Sequence, residues 1–248
     1  MGNNKEWFAD WFDSPYYHIL YQKRDMNEAE FFLRNLVKHF NPNPGSKIID
    51  LACGKGRHSI FLNSLGFEVT GVDLSQQSIG SAKEFENEKL HFEVQDLRSL
   101  EMKEHFDIAL NLFTSFGYFD CFDTNVLVLK QIYSILNPGG FLLIDFFNAK
   151  KMIANLVTQE SKEIENIQFD IDKELVEGQI IKSIHFMDAG KAYFYQEKVQ
   201  ALELKDFDMF LNKAGFKIIQ TFGNYALGAF DEENSERLII IASRDHVG

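Results

Sequence analysis

The sequence is poor in cysteine: only Cys53 and Cys121 occur in 248 residues. Two thiols give no disulfide framework, and neither lies in a Cys-x-x-Cys pair, so a stapled secreted scaffold and a structural zinc site are not expected. Positive charge is scarce too. Lys and Arg total 25 against 37 Asp and Glu, a formal net charge of −12, which argues against a broad grip on nucleic acid because neutralising phosphates needs clustered cations. No apolar run approaches the ~20 residues that span a bilayer. The opening residues, Met-Gly-Asn-Asn-Lys-Glu-Trp, lack the basic-then-apolar layout of a signal peptide, so the expectation is a cytoplasmic protein without a membrane segment. There is no clustered His/Asp/Glu set of the kind that holds a catalytic metal, no internal repeat and no low-complexity tract.

Phenylalanine is plentiful, at 25 copies, while the hydrophobic share (45%) and charged share (25%) are ordinary for a globular chain that buries a sizeable core. Residues 5 to 22 are dense in aromatics (Trp7, Phe8, Trp11, Phe12, Tyr16, Tyr17, Tyr21) and broken by Asp13-Ser14-Pro15, which reads as two short amphipathic helices. Asn27 is a candidate cap for a third helix, carrying Phe31, Phe32, Leu36, Val37 and Phe40 and stopped by Asn41-Pro42-Asn43-Pro44-Gly45. From there strand and helix alternate: strands at 47–51, 68–73, 90–95, 106–112 and 141–147, with helices near 57–65, 75–87 and 123–136. Such alternation predicts a largely parallel sheet. Strand-like stretches at 162–172, 179–187 and 191–203, divided by Glu177-Gly178 and Asp188-Ala189-Gly190, then predict an antiparallel insertion. A helix at 205–214 and strands at 216–222 and 237–243 return to the main sheet. The expected organisation is an N-terminal helical lid (1–45), a core (46–150), the insertion (151–203) and a closing segment (204–248).

Ligands of open parallel sheets bind beyond the carboxyl ends of the strands. At the first such end stands Ala52-Cys53-Gly54-Lys55-Gly56, whose glycines allow close backbone approach and whose following helix offers free N–H groups to an anionic end of a nucleotide-like cofactor. The turn alone also approximates the G-x-G-x-x-G/A dinucleotide fingerprint. Asp73 ends the second strand, where a carboxylate can accept from both ribose hydroxyls of either a nicotinamide dinucleotide or S-adenosylmethionine (SAM); its bland role would be a helix cap. Asp96 closes the third strand, able to accept from an adenine amine while the Leu97 N–H faces the ring. Asp50, Asp73 and Asp96 are each 23 residues after the last, which places all three on one rim.

With these residues in view the chain resembles class I SAM-dependent methyltransferases. Asp50-Leu-Ala-Cys-Gly54-Lys-Gly56 matches the family's first motif, and Val72-Asp73-Leu74-Ser75, Gln95-Asp96-Leu97, Phe106-to-Leu112 and Leu136-Asn137-Pro138-Gly139-Gly140-to-Asp145 match later motifs in order. Ala52 stands where the family usually has its first loop glycine. The resemblance implies a Rossmann-like, seven-stranded, mostly parallel α/β sheet flanked by helices, with SAM as cofactor. It places Asp50, Ala52, Cys53, Gly54, Gly56, Asp73, Leu74, Asp96, Leu97, Asn111, Leu112 and Phe113 at the cofactor. Outside the core, Tyr17-to-Asp25 and Asn111-to-Phe119 are similar to the family's small-molecule branch, which includes amino-sugar and glycine N-methyltransferases. That likeness implies an N-terminal segment closing over the cofactor with Tyr21 and Arg24, Arg24 meeting the methionyl carboxylate. It also implies a small-molecule acceptor lined by Tyr17, Phe116 and Tyr118. Asn111-Leu-Phe-Thr replaces the Asn/Asp-Pro-Pro-aromatic acceptor tetrapeptide of base and glutamine N-methyltransferases. A hydroxyl acceptor would need a general base from among His18, His58, Tyr16, Tyr17 and Tyr118, an amine would need none, and no catalytic residue is assigned. A nicotinamide-dependent oxidoreductase and a non-catalytic module of the same fold stand as alternatives.

Overall fold

Strands that are apolar on both sides need cover on both faces, and those around the glycine turn read that way. A computed structural model describes residues 7–22, 26–119 and 121–244. In chain order the elements are α1 (Trp7–Phe12), α2 (Pro15–Leu20), α3 (Met26–Phe40), β1 (Lys47–Leu51), α4 (Arg57–Ser64), β2 (Glu68–Asp73), α5 (Gln76–Ala82), β3 (Leu90–Val94), β4 (Phe106–Asn111), α6 (Phe122–Ile135) and β5 (Leu136–Phe147). There follow α7 (Ala149–Ala154), β6 (Gln159–Ile164), β7 (Ile167–Val176), β8 (Gln179–Asp188), β9 (Lys191–Gln200), α8 (Leu204–Ala214), β10 (Phe216–Phe222) and β11 (Arg237–Arg244).

Seven strands form one sheet in the order β10-β11-β5-β4-β1-β2-β3. β1 to β5 run parallel, while β11 is antiparallel to both β5 and β10. The chain leaves β1 in one direction for β2 and β3 and reaches β4 and β5 in the other, which makes the β1/β4 boundary the switch point where ligands of such sheets bind. One face is covered by α3, α4 and α5 through Phe32, Leu33, Leu36, Leu62, Ile79 and Ala82. The other is covered by α6 and α8 through Val128, Leu129, Ile132, Phe207, Phe210 and Leu211. Most of the unusual phenylalanine content is spent here: Phe32, Phe92, Phe106, Phe146 and Phe207 are among the fully buried side chains, each burial stabilising by about 1.5–3 kcal/mol.

The second sheet, β6-β7-β8-β9, is antiparallel throughout. Ile167, Phe169 and Ile171 of β7 are buried while Gln168, Asp170 and Asp172 between them are exposed, the alternation of a sheet covered on one face. α1 and α2 supply that cover: Trp11 and Leu20 pack with Phe169, Ile184 and Phe186, joined by Tyr17, Tyr21 and Tyr195.

Several elements depart from expectation. The stretch 162–172, expected as one strand, is a hairpin whose turn residues Glu165 and Asn166 have φ of 52° and 64°; that turn carries no glycine, so its signal was weak. β5 begins at Leu136 rather than 141, because Leu136 already pairs with Phe106 before a register shift at the Asn-Pro-Gly-Gly segment. A Cβ on Gly140 would lie 2.9 Å from the Asn137 carbonyl and 3.0 Å from that of Asp107, so this glycine serves close packing. The helix expected at 75–87 ends at Ala82 and continues as a 3-10 turn, Lys83–Phe85. Asn27 lies inside α3 rather than capping it, and α7 had no counterpart in the expectation. Among the described residues no helix is long and apolar enough to cross a membrane.

Candidate active site

Two adjoining cavities open at the carboxyl ends of β1, β2 and β3, sharing Phe12, Ala52, Asp73, Ser115 and Tyr118 in their walls. The first adds Phe8, Leu74, Gln95, Asp96, Leu97 and Phe119; the second adds Tyr17, His18, Tyr21, Gly54, Lys55 and Phe113, with Asp50, Cys53, Arg57, His58 and Leu112. Thirteen of the residues expected at the site therefore meet here: Tyr17, Tyr21, Asp50, Ala52, Cys53, Gly54, Asp73, Leu74, Asp96, Leu97, Leu112, Phe113 and Tyr118. Arg24 lies outside the described residues.

The glycine turn is held from below by two carboxylates. Asp50, 1% exposed on β1, accepts from Ser59 Oγ at 2.6 Å, tying strand to helix across the turn. Burial, with the Asp73 charge adding to it against the bonds from Ser59, pushes the Asp50 carboxyl up to about 7. Asp73 accepts from the Gly54 N–H at 2.8 Å and the Ser75 N–H at 2.9 Å, one on each oxygen. Burial raises its titration point against the opposing pull of those N–H groups. Ser75, not Asp73, caps α5 with its side chain, so Asp73 remains turned to the cavity it lines.

The turn also shows what each small residue is for. Ala52 has φ 57°, a left-handed conformation costly for any residue with a Cβ. Gly54 has φ 56° and nothing within 4 Å of where its Cβ would stand, leaving an open cradle on the cavity side. Gly56 differs: a Cβ there would lie 2.5 Å from the Phe92 ring, and Gly56 lines neither cavity. It serves packing.

Asp96 binds the Arg98 guanidinium through both oxygens, with Nε at 2.9 and 3.1 Å and Nη2 at 2.5 Å, and accepts from the Arg98 N–H. Burial pushes its carboxyl up, but the bonds and charge of Arg98 outweigh this and hold it below the ordinary value. Arg98 in turn lies 5.2 Å over the Phe119 ring.

Beyond β4, Phe113 and Thr114 have φ of 54° and 63°. This unusual backbone is clamped by Asp145 of β5, fully buried, which accepts from the Phe113 N–H at 2.8 Å, Tyr225 Oη at 3.2 Å and Arg237 Nε at 2.8 Å. Arg237 also reaches Thr114 Oγ1 at 3.2 Å. The clamp aims the Phe113 ring at His58, stacked at 4.8 Å with planes 3° apart, while Arg57 donates to His58 Nε2 at 2.9 Å. Asn111, buried behind the loop, donates to the carbonyls of Leu51 and Ser115 and lines neither cavity.

Phe116, expected against the acceptor, is buried in the core between Phe207 and Phe210 instead. Its loop neighbours Ser115 and Tyr118 face the cavities, and for Phe116 and Tyr118 the two orientations look alike in sequence. Phe8, Phe12, Asp13, Ser75, Gln95, Ser115 and Phe119 lie outside the expected set of site residues, yet they line the first cavity. Asp13 accepts from Ser75 Oγ at 2.7 Å and from the Gln77 N–H at 3.2 Å, fastening the N-terminal segment beside Asp73; its position in an Asp-Ser-Pro turn was the one available signal. His18 lines the second cavity, and burial, then the nearby Lys55 charge, push its imidazole down to about 4 against the pull of Asp13. It is neutral near pH 7. Among the described residues no cluster of His, Cys, Asp and Glu could hold a metal ion.

A glycine turn at the switch point, with one acid ending β2 and another just beyond β3, is the arrangement of a nucleoside-cofactor site on a doubly wound sheet. The chain belongs to the methyltransferase-domain family, whose model matches residues 42–203. A glycine/sarcosine N-methyltransferase from Aphanothece halophytica is 26% identical over 92% of this chain and 85% of its own length. Among solved structures, a SAM-dependent methyltransferase from Clostridium acetobutylicum superposes with a TM-score of 0.78 at 19% identity, covering 93% of this chain and 96% of the other. A SAM-bound amino pentose methyltransferase from Micromonospora echinaspora does so with a TM-score of 0.69 at 14% identity, covering 93% and 97%. The enzyme is a SAM-dependent methyltransferase, and the nicotinamide and non-catalytic alternatives find no support. The residues present fit this cofactor, because the open cradle at Gly54 and the cavity-facing Asp73 leave room and acceptors for a nucleoside with a polar tail.

Proposed function

We propose that this enzyme methylates the nitrogen of a small metabolite enclosed beneath its aromatic N-terminal segment. The observation that carries the reading is the wall of the second cavity, where Phe12, Tyr17, Tyr21, Phe113 and Tyr118 surround the space beside the Ala52–Gly54 turn. The glycine/sarcosine and amino pentose relatives add support for a small amine. When bound, SAM supplies an electrophilic methyl group on a positively charged sulfur. Asp73 would accept from the ribose hydroxyls, Asp96 and Leu97 would flank the adenine, and Ala52, Cys53 and Gly54 would meet the methionyl end, with Tyr21, Leu74, Leu112 and Phe113 closing around it. The aromatic faces exclude water and favour a cation. Holding the acceptor in line with the departing sulfur is the main task left to the chain. An amine that loses its proton to water before binding requires no base.

In this reading residues 1–45 act as a lid, 46–150 hold the cofactor, 151–203 form the acceptor side and 204–248 complete the sheet. The net charge of −12 favours a metabolite over nucleic acid as the acceptor. The test is label transfer from methyl-tritiated SAM to glycine, sarcosine and a nucleotide-linked amino sugar, set against transfer RNA and bulk protein. Label on at least one amine, and none on the polymers, is expected. Label confined to a polymer would overturn the proposal.

A further inference from the structure

The inner face of the second sheet carries a lysine and a carboxylate beneath the aromatic segment. Lys182 of β8 and Glu197 of β9 are cross-strand partners, their Nζ and Oε2 3.5 Å apart, with side chains only 13% and 16% exposed. Charges are costly at such depth unless paired. Glu197 is well satisfied: it accepts from Trp11 Nε1 at 2.7 Å and from Tyr21 Oη at 2.6 and 2.8 Å. Lys182 donates to the same Tyr21 hydroxyl and sits 4.6 Å from the centre of its ring. Tyr21 is also a wall of the second cavity. One phenol therefore separates a buried ion pair from the space next to the glycine turn.

A cation beside that phenol matters for this cofactor. SAM carries a positive sulfur, its product S-adenosylhomocysteine (SAH) a neutral one, and apart from the transferred methyl group the two are alike. An uncompensated ammonium behind the cavity wall repels the first and leaves the second almost unaffected. Lys173 and Glu160 pair with each other at 2.8 Å and Lys162 with Glu160 at 3.1 Å, so Glu160 is already shared between two lysines. The carboxylate in direct contact with both Lys182 and Tyr21 is Glu197.

We propose that Glu197 is a positioning and charge-balancing residue of the active site: through Tyr21 it fixes one cavity wall, and by neutralising Lys182 it keeps that wall hospitable to the sulfonium of SAM. The inference rests on the SAM site proposed above. Burial lowers the tendency of Lys182 to hold its proton, and Glu197 opposes that effect, which agrees with the pair acting as a unit.

The test is calorimetric titration of the full chain with SAM and, separately, with SAH. Glu197→Gln keeps a hydrogen-bonding side chain but removes the charge; it should weaken SAM by about tenfold and SAH by about threefold or less, lowering the SAM-to-SAH affinity ratio. Lys182→Met should raise that ratio above the wild-type value, and the double variant should return it towards wild type. A purely structural role would weaken both ligands equally and leave the ratio unchanged in all three variants, which would overturn the proposal. If the wild-type chain bound neither ligand, the SAM site itself would be lost. Far-ultraviolet circular dichroism and melting temperature separate a misfolded variant from a folded one, and Tyr21→Phe, which cuts the hydrogen bonds to the wall but leaves the Lys182–Glu197 pair in place, should keep the ratio near the wild-type value; a fall as large as that of Glu197→Gln would overturn the charge-balancing role.

Discussion

The cofactor core and the cap formed by α1, α2 and the second sheet are built on opposite principles. In the core, strands are covered on both faces and the site is made from backbone: the N–H groups of Gly54 and Ser75 are held by Asp73, that of Phe113 by Asp145. In the cap a sheet is covered on one face only, and side chains make the cavity wall, with Tyr16, Tyr17, Tyr21 and Trp11 packed against Phe186, Tyr193 and Tyr195. The difference teaches where variation is tolerated. A backbone-built site suits one unchanging cofactor, whereas a wall of interchangeable rings can be refitted to another acceptor without disturbing the sheet beneath.

Breaking the core should cost most. Arg237→Met strands the fully buried Asp145 carboxylate, whose partner side chain is 18% exposed, and should lower unfolding free energy by about 3–5 kcal/mol, read from urea denaturation. Next comes Asp73→Ala, which frees two backbone N–H groups and removes the proposed ribose acceptor. A loss of about 1.5–3 kcal/mol in SAH affinity is expected by calorimetry, the range for hydrogen bonds to a charged group. An unchanged affinity would show that Asp73 only shapes the turn.

These two residues also mark how far the sequence could be read. Asp73 and Gly54 were legible because their partners lie in one short strand-turn-helix motif, where spacing alone dictates geometry. The contacts of Asp145 with Tyr225 and Arg237 were not, since they span distant parts of the chain and neither partner carries a local signature. Phe116, expected on the acceptor side, packs on Phe207 and Phe210: within an irregular loop no periodicity says which ring turns inward. The largely parallel core sheet is legible from strand-helix alternation, while the hairpin at 165–166 is not, because its turn lacks glycine.

Acid titration sharpens the same contrast between core and cap. Asp50 lies about 7 in the folded chain against an ordinary 3.8, so the folded state holds its proton more tightly than the unfolded one. Its contribution to stability is full below about pH 4 and is lost as pH rises through about 7. Asp50→Asn, which cannot ionise, should flatten that part of the stability curve in urea titrations from pH 4 to 8; a difference curve without slope over this window would refute the burial account.

The smallest effect belongs to Ala52. Its φ of 57° is strained for alanine, partly offset by the greater freedom glycine loses on folding. Ala52→Gly should therefore stabilise by about 0.5–1 kcal/mol, visible as a rise in melting temperature with SAH binding retained. A fall in melting temperature would mean that the alanine methyl makes contacts worth more than the strain.

The most direct measurement of the central claim is a crystal structure of the enzyme with SAH. The expected result is ribose hydroxyls on Asp73, adenine between Phe8, Leu74 and Leu97 beside Asp96, and the homocysteine end over Gly54 facing Tyr21. SAH bound away from the carboxyl ends of β1 and β2, or with its ribose out of reach of Asp73, would contradict it.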